Sequence, residues 1–249
     1  MNGAMLEVTG ASKRFGGVIA NQDISLSVRE GEIVGLIGPN GSGKTTLFNS
    51  IVGYHPVDAG SIAFEGREIS KLRVPEIARL GLLRTFQQTR IYSKMDCVEN
   101  MLISVPHRSA GWGNMFQEFP AELVEKAEHL LEFVGLYSKR RLISGDLSFG
   151  QQKLLEFAMA LMNDPKTLLL DEPTAGINPT LINGLIDRLK RANEEFGITL
   201  FVIEHNMRVI MNLAENIYCL AHGELLAEGP PDRSEEHTSE LQSLAYLVC

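Results

Sequence analysis

Apolar positions along this chain recur with two different periods, and the change from one to the other divides it. From Leu6 to Val28 two alternating apolar runs flank KRFGG, the pattern of a hairpin around a glycine turn. IVGLIG, Ile33 to Gly38, is almost continuously apolar, as expected of a strand buried on both faces. TTLFNSIVG then predicts a helix ending near Gly53, and DAGSIAFEGREI carries the turn and alternation signals of a second hairpin. Between about Ser93 and Met162 the spacing becomes three and four, as at Leu123, Ala127, Leu130, Leu131 and Val134, which predicts a helical lobe. A buried strand returns at TLLLDEP, Thr167 to Pro173, followed by a helix from about Pro179 to Glu195. ITLFVIEH, Ile198 to His205, predicts another strand, then come a last helix and a short β element near Tyr218 to Leu226. Strands alternating with helices imply an α/β protein with a parallel sheet and right-handed crossovers.

Composition narrows the picture without changing it. The 249 residues, 44% apolar and 22% charged, suffice for one large core or a core with a lobe. No run approaches the roughly 18 apolar residues that a membrane helix needs. Met1 to Gly10 lacks the basic and apolar regions of a signal peptide, so a cytoplasmic location is expected. Cys97, Cys219 and Cys249 have no metal-ligand or CxxC spacing and read as small buried or surface thiols. A net charge of −8 argues against a nucleic-acid partner. The tail RSEEHTSELQSLAYLVC, Arg233 to Cys249, resembles the translation of a short-read sequencing adapter. It is therefore set aside, with the native sequence expected to diverge after about Asp232.

The candidate chemistry lies where apolar strands end. GPNGSGKT, Gly38 to Thr45, fits G-x-x-x-x-G-K-[ST] and stands between a predicted strand and a predicted helix. Such a loop turns successive N–H groups onto phosphate oxygens at a helix N-terminus, with Gly41 and Gly43 freeing the backbone. Lys44 adds a charge for the β and γ phosphates, and the Thr45 hydroxyl is a candidate Mg²⁺ ligand. LLLDEP, Leu168 to Pro173, delivers two acids to the end of a strand, the edge where ligands of parallel sheets collect. Asp171 is the candidate metal carboxylate, and Glu172 the carboxylate that orients and deprotonates an attacking water.

LSFGQQK, Leu147 to Lys153, resembles the signature of the ABC transporter ATPases, usually LSGGQ, with Phe149 in place of a glycine. The resemblance covers nearly all of Met5 to Asp232. It implies a P-loop (RecA-like) ABC ATPase core with N-terminal antiparallel β elements and a helical signature lobe. The core is then expected over 1–92 and 163–232 and the lobe over 93–162. The resemblance also assigns roles. Phe15 stacks on adenine, while Gly38, Pro39, Asn40, Gly41, Ser42, Gly43, Lys44, Thr45 and Thr46 hold the nucleotide. Gln87 (with Gln88 the lesser choice) touches Mg²⁺ or water, and His205 contacts the γ-phosphate. Ser148, Gly150 and Gln151 complete the site of a second, homologous or identical ATPase subunit, so that ATP joins the two. AGIN, Ala175 to Asn178, stands where the family usually reads SALD.

The segments from GLIGPNGSGKTTLFNS through IARLGLLRTFQQTRIYSKMDCVENMLI, with DEPTAGINP, are similar to ATP-binding subunits of branched-chain amino-acid importers. The implied partners are transmembrane permeases and a periplasmic or extracellular substrate-binding protein, with this subunit on the cytoplasmic face of the membrane. Importers of urea or short amides use similar subunits, and a soluble non-transport ABC ATPase is the further alternative. Pro106 to Pro120, with Trp112, Met115, Phe116 and Phe119, reads as a lobe insert that either docks a permease or fills its own core.

Overall fold

A computed structural model of the chain describes residues 3–85, 91–105 and 119–231. These form two compact units, one within Met1–Arg84, Lys166–Thr174 and Leu189–Cys249, the other within Thr85–Pro165 and Ala175–Arg188.

The first unit contains two sheets. KRFGG turns the chain between β1 (Ala4–Phe15) and β2 (Val18–Arg29), which pair antiparallel through several register shifts. Those shifts let two twelve-residue strands stay paired where strict alternation lapses. With β4 (Ala59–Phe64) and β5 (Arg67–Glu68) they make a four-stranded sheet in the order β2-β1-β4-β5.

The second sheet has six strands. It contains β3 (Ile33–Ile37), β6 (Leu82–Arg84), β7 (Thr167–Asp171), β8 (Thr199–Ile203), β9 (Asn216–Ala221) and β10 (Glu224–Gly229). Their order is β10-β9-β3-β8-β7-β6, parallel except for the β9–β10 hairpin at one edge. Every residue of β3, β7 and β8 is buried, which explains their unbroken apolar runs. The short β6, and the helix α2 (Val74–Arg79) before it, have no counterpart in the periodicity of the sequence; three and six residues are too few to show one.

Helix α1 (Lys44–Ile51) places Phe48 against Phe201 of β8, ring centroids 4.9 Å apart, in one core with Leu6, Ile24, Ile62 and Phe64 of the antiparallel sheet. Tyr218 of β9 fastens the two sheets together: its hydroxyl donates to the Ser27 carbonyl (2.9 Å) and accepts from the Ser27 N–H (3.2 Å).

In the second unit α3 (Cys97–Ile103), α4 (Ala121–Phe133) and α5 (Phe149–Leu161) pack on one another. Ala127, Leu130, Leu131 and Val134 are buried, as their spacing predicts, and Leu123 is half-buried. Asn100 is fully buried and pins the segment before α3, accepting from Tyr92 N (2.7 Å) and donating to Asp96 O (2.9 Å) and Ser144 Oγ (3.1 Å). Helix α6 (Pro179–Phe196) matches the expected span to within a residue. Cys97 lies buried here, and burial, with Asp96 adding to it, pushes its thiol up to about 11, an inert structural cysteine. The Pro106–Pro120 insert lies outside the described residues up to position 118; Phe119 is exposed and Pro120 caps α4.

Helix α7 (Met207–Leu213) rests on β3 at Gly35, where an added Cβ would stand 2.6 Å from Ile210 Cγ1. Gly35→Ala is expected to cost about 1–3 kcal/mol through overpacking, measured by chemical denaturation. The cost should shrink in an Ile210→Ala background if the two sites share that contact.

Candidate nucleotide-binding site

Gly38 to Gly43 leaves β3, the strand flanked by β8 on one side and β9 on the other. The chain crosses β3 between those two neighbours, so this is the switch point at which open α/β sheets hold ligands. Two glycines make the turn possible. At Gly38 (φ 148°) a Cβ would fall 2.0 Å from the Leu220 carbonyl oxygen, and at Gly43 (φ 101°) 2.3 Å from that of Ala20. Asn21 Nδ2 donates to Gly43 O (3.2 Å) and Gly223 N to Ser42 O (3.1 Å), so β2 and the β9–β10 turn brace the loop. Helix α1 begins at the second of these glycines with no side-chain cap and no acidic residue in its first turn. Its N-terminus therefore keeps N–H groups and positive potential for an anion. Lys44, buried, donates its ammonium to the carbonyls of Gly38 (2.7 Å) and Pro39 (2.8 Å), which hold it over the loop. Thr45 and Gly41 are exposed and Thr46 half-buried.

Asp171 ends β7 at 1% exposure. Its Oδ2 accepts from Arg84 Nη2 at 2.5 Å, and Arg84 Nη1 donates to Asn49 Oδ1 of α1 at 2.6 Å. The guanidinium also lies 5.7 Å from the centroid of the Phe48 ring. Asp171 Oδ1 is buried without a hydrogen-bond partner among the described residues. An orphaned carboxylate oxygen at a strand end suits a hard cation, and the Thr45 hydroxyl is the donor expected to share it. Among the described residues no group of three His, Cys, Asp or Glu could hold a metal, so such an ion needs nucleotide and water oxygens as well.

Glu172 follows with φ 50°, a conformation that costs a non-glycine residue about 1 kcal/mol or more. Its N–H donates to Ile203 O (3.0 Å), and its Oε1 lies 2.9 Å from His205 Nε2. Of the side chains expected to serve hydrolysis, Glu172, His205, Lys44 and Gln87, the first two thus touch, just past the ends of neighbouring strands. Phe15 ends β1 with 45% of its surface exposed, its ring edge-to-face with His55 at 5.2 Å. Gln87 and Gln88 lie outside the described residues.

Sequence reading missed Arg84 and Glu204. Each is the charged residue that closes an apolar run, LGLLR and LFVIE, the mark of a strand reaching its polar edge.

The signature residues belong to the second unit. Ser148 caps α5: its Oγ accepts from Gln151 N (3.4 Å), and its own N–H donates to Gln151 Oε1 (3.1 Å), a capping box. Gly150 is buried, with Leu181 and Ile177 within 4 Å of where a Cβ would sit. Phe149 is half-exposed, its ring against Gly176.

A family described as ABC transporter matches residues 21–175. The high-affinity branched-chain amino acid transport ATP-binding protein BraF of Pseudomonas aeruginosa is 36% identical over 255 residues, 99% of each chain. A probable branched-chain amino acid transport ATP-binding protein of Archaeoglobus fulgidus is 38% identical, over 90% of this chain and 89% of its own. Among solved structures, the ADP conformation of an ATP-binding cassette of an ABC transporter is similar with a TM-score of 0.84 at 34% identity, covering 97% of this chain and 95% of that one. With a phosphate loop at the switch point and an acid–histidine pair at the neighbouring strand ends, the chain belongs to the ABC transporter family and is an ATP-binding cassette ATPase.

Proposed function

We propose that this ATPase powers the import of branched-chain amino acids, working as a nucleotide-sandwich dimer on transmembrane permeases fed by a substrate-binding protein. The observation that carries the catalytic part is the 2.9 Å approach of Glu172 Oε1 to His205 Nε2 at the sheet edge that also bears the phosphate loop. The cargo rests on the names of relatives that align over nearly the whole chain. No helix among the described residues is long and apolar enough to cross a membrane, which accords with a subunit that attaches to its permease from the cytoplasmic face.

In this reading the loop's N–H groups and Lys44 bind the β and γ phosphates, with Phe15 under the adenine. Mg²⁺, when bound, neutralises phosphate charge, and Asp171, Thr45 and Gln87 are the residues that would hold it. Glu172 accepts a proton from the attacking water as the water oxygen bonds to the γ-phosphorus. The bond to the ADP oxygen breaks, giving ADP and inorganic phosphate. His205 holds the γ-phosphate and, through Nε2, orients Glu172. Ser148, Gly150 and the N-terminus of α5, with Gln151, complete the site of the opposite subunit, so loss of the γ-phosphate releases the closed dimer.

Glu172→Gln keeps the shape of the side chain but cannot take a proton. It is expected to lower kcat about 100-fold or more while ATP affinity persists. A dimer should accumulate with ATP, read by size-exclusion chromatography with light scattering. Parent-like hydrolysis in that variant would remove Glu172 from its role.

Arg84→Met strips a buried carboxylate of its counter-charge, because both partners are at most 5% exposed. A loss of about 3 kcal/mol in unfolding free energy is expected from denaturant titration.

A further inference from the structure

Parallel pairing of β7 with β8 runs from Thr167↔Thr199 to Asp171↔Ile203 and ends there. Glu172 N to Ile203 O is the next bond, and beyond it both strands become loops. Glu172 and His205 lie on those loops, so their contact needs something other than the ladder to fix it.

Glu204, 3% exposed, supplies that tie. Its Oε1 accepts from Thr174 N (2.9 Å) and Thr174 Oγ1 (2.5 Å), two residues past Glu172. Its Oε2 accepts from His205 N (3.2 Å) and Asn206 N (3.4 Å). Its backbone N–H reaches Leu36 O of β3 at 3.4 Å. One buried carboxylate therefore gathers four donors from the loop after β7 and the loop after β8. An ionised carboxylate accepts at both oxygens and donates nothing, so it matches this donor-only surrounding. Thr174, 6% exposed, is buried with it.

We propose that Glu204 is a positioning residue for hydrolysis: it clamps the Glu172 loop to the His205 loop and so sets the geometry of the acid–histidine pair without touching nucleotide. The proposal rests on the roles given above to Glu172 and His205. Glu204→Gln is isosteric but turns an amide N–H₂ toward donors, which breaks one side of the clamp. Thr174→Val removes only the hydroxyl, and Thr174→Ser retains it.

The test measures steady-state MgATP hydrolysis by the full-length chain, nucleotide affinity by titration with a fluorescent ATP analogue, and the thermal midpoint. Glu204→Gln is expected to lower kcat about 10- to 100-fold, as displacement of reacting groups by up to about an ångström can, with KM and nucleotide affinity within about twofold of the parent. Thr174→Val should lose less, Thr174→Ser should recover most of that loss, and Glu204→Gln with Thr174→Val should be no worse than Glu204→Gln alone. A kcat for Glu204→Gln within about twofold of the parent, or a fall matched by weaker nucleotide affinity, overturns the proposal. If Glu204→Gln does not fold, the threonine pair decides: equal kcat for Thr174→Val and Thr174→Ser overturns it. Glu172→Gln, assayed alongside, separates the two ideas. Full activity there removes the catalytic roles themselves, whereas full activity in Glu204→Gln alone removes only the clamp.

Discussion

A strand buried on both faces has nowhere to put a charge until it ends, and β3, β7 and β8 obey that constraint residue by residue. All fifteen positions of these strands are buried, and among them only Asp171, at the very end of β7, is ionisable. Lys44, Glu172, Glu204 and His205 all follow one of the three strands within a few residues. Because the strands are parallel, these groups emerge at one edge, and desolvation of the strands thus concentrates the chemistry there. The strand order then determines which groups meet: β7 beside β8 brings Glu172 to His205, and β3 between β8 and β9 opens the space for a glycine loop.

Concentrating charge has its own cost, and the surrounding structure offsets it pair by pair. Arg84 holds one oxygen of Asp171, while the other stays without a hydrogen-bond partner among the described residues. The phosphate loop satisfies Lys44 with its own carbonyls, which keeps the ammonium in place beside the helix N-terminus. The left-handed backbone at Glu172 is a strained conformation at the residue assigned the proton transfer, held by the backbone bond to Ile203 and the contact with His205. Rigid support of this kind is what preorganised catalysis requires.

How much of this was legible follows from what each residue announces by itself. Lys44, Thr45, Asp171, Glu172 and His205 sit in short runs whose order identifies them, and the strands that carry them are apolar enough to be read directly. Arg84 and Glu204 announce only that a strand has reached its polar edge, and Asn49 announces nothing. The distant partners that give them their roles lie 87, 35 and 30 positions away, so only the strand order of the folded sheet reveals those. The short β6 was missed for the same reason that Arg84 was: three residues carry no period, yet pairing with β7 places that arginine at Asp171. The capping box at Ser148 and Gln151 shows the opposite case. Sequence assigned both residues to a nucleotide, and in the fold they first satisfy one another at the start of α5.

Two departures from the usual family pattern, far apart along the chain, meet at one contact in the fold. Phe149 stands where the signature usually has glycine, and Gly176 stands where SALD has alanine. In the fold the Phe149 ring occupies the space that a Cβ on Gly176 would enter, with Cε1 2.8 Å from the ideal position. Gly176 also has φ 74°, which an alanine would find strained. With the ring placed as it is, a Cβ at 176 would force one of the two to shift, and the bare backbone of Gly176 leaves the ring its room.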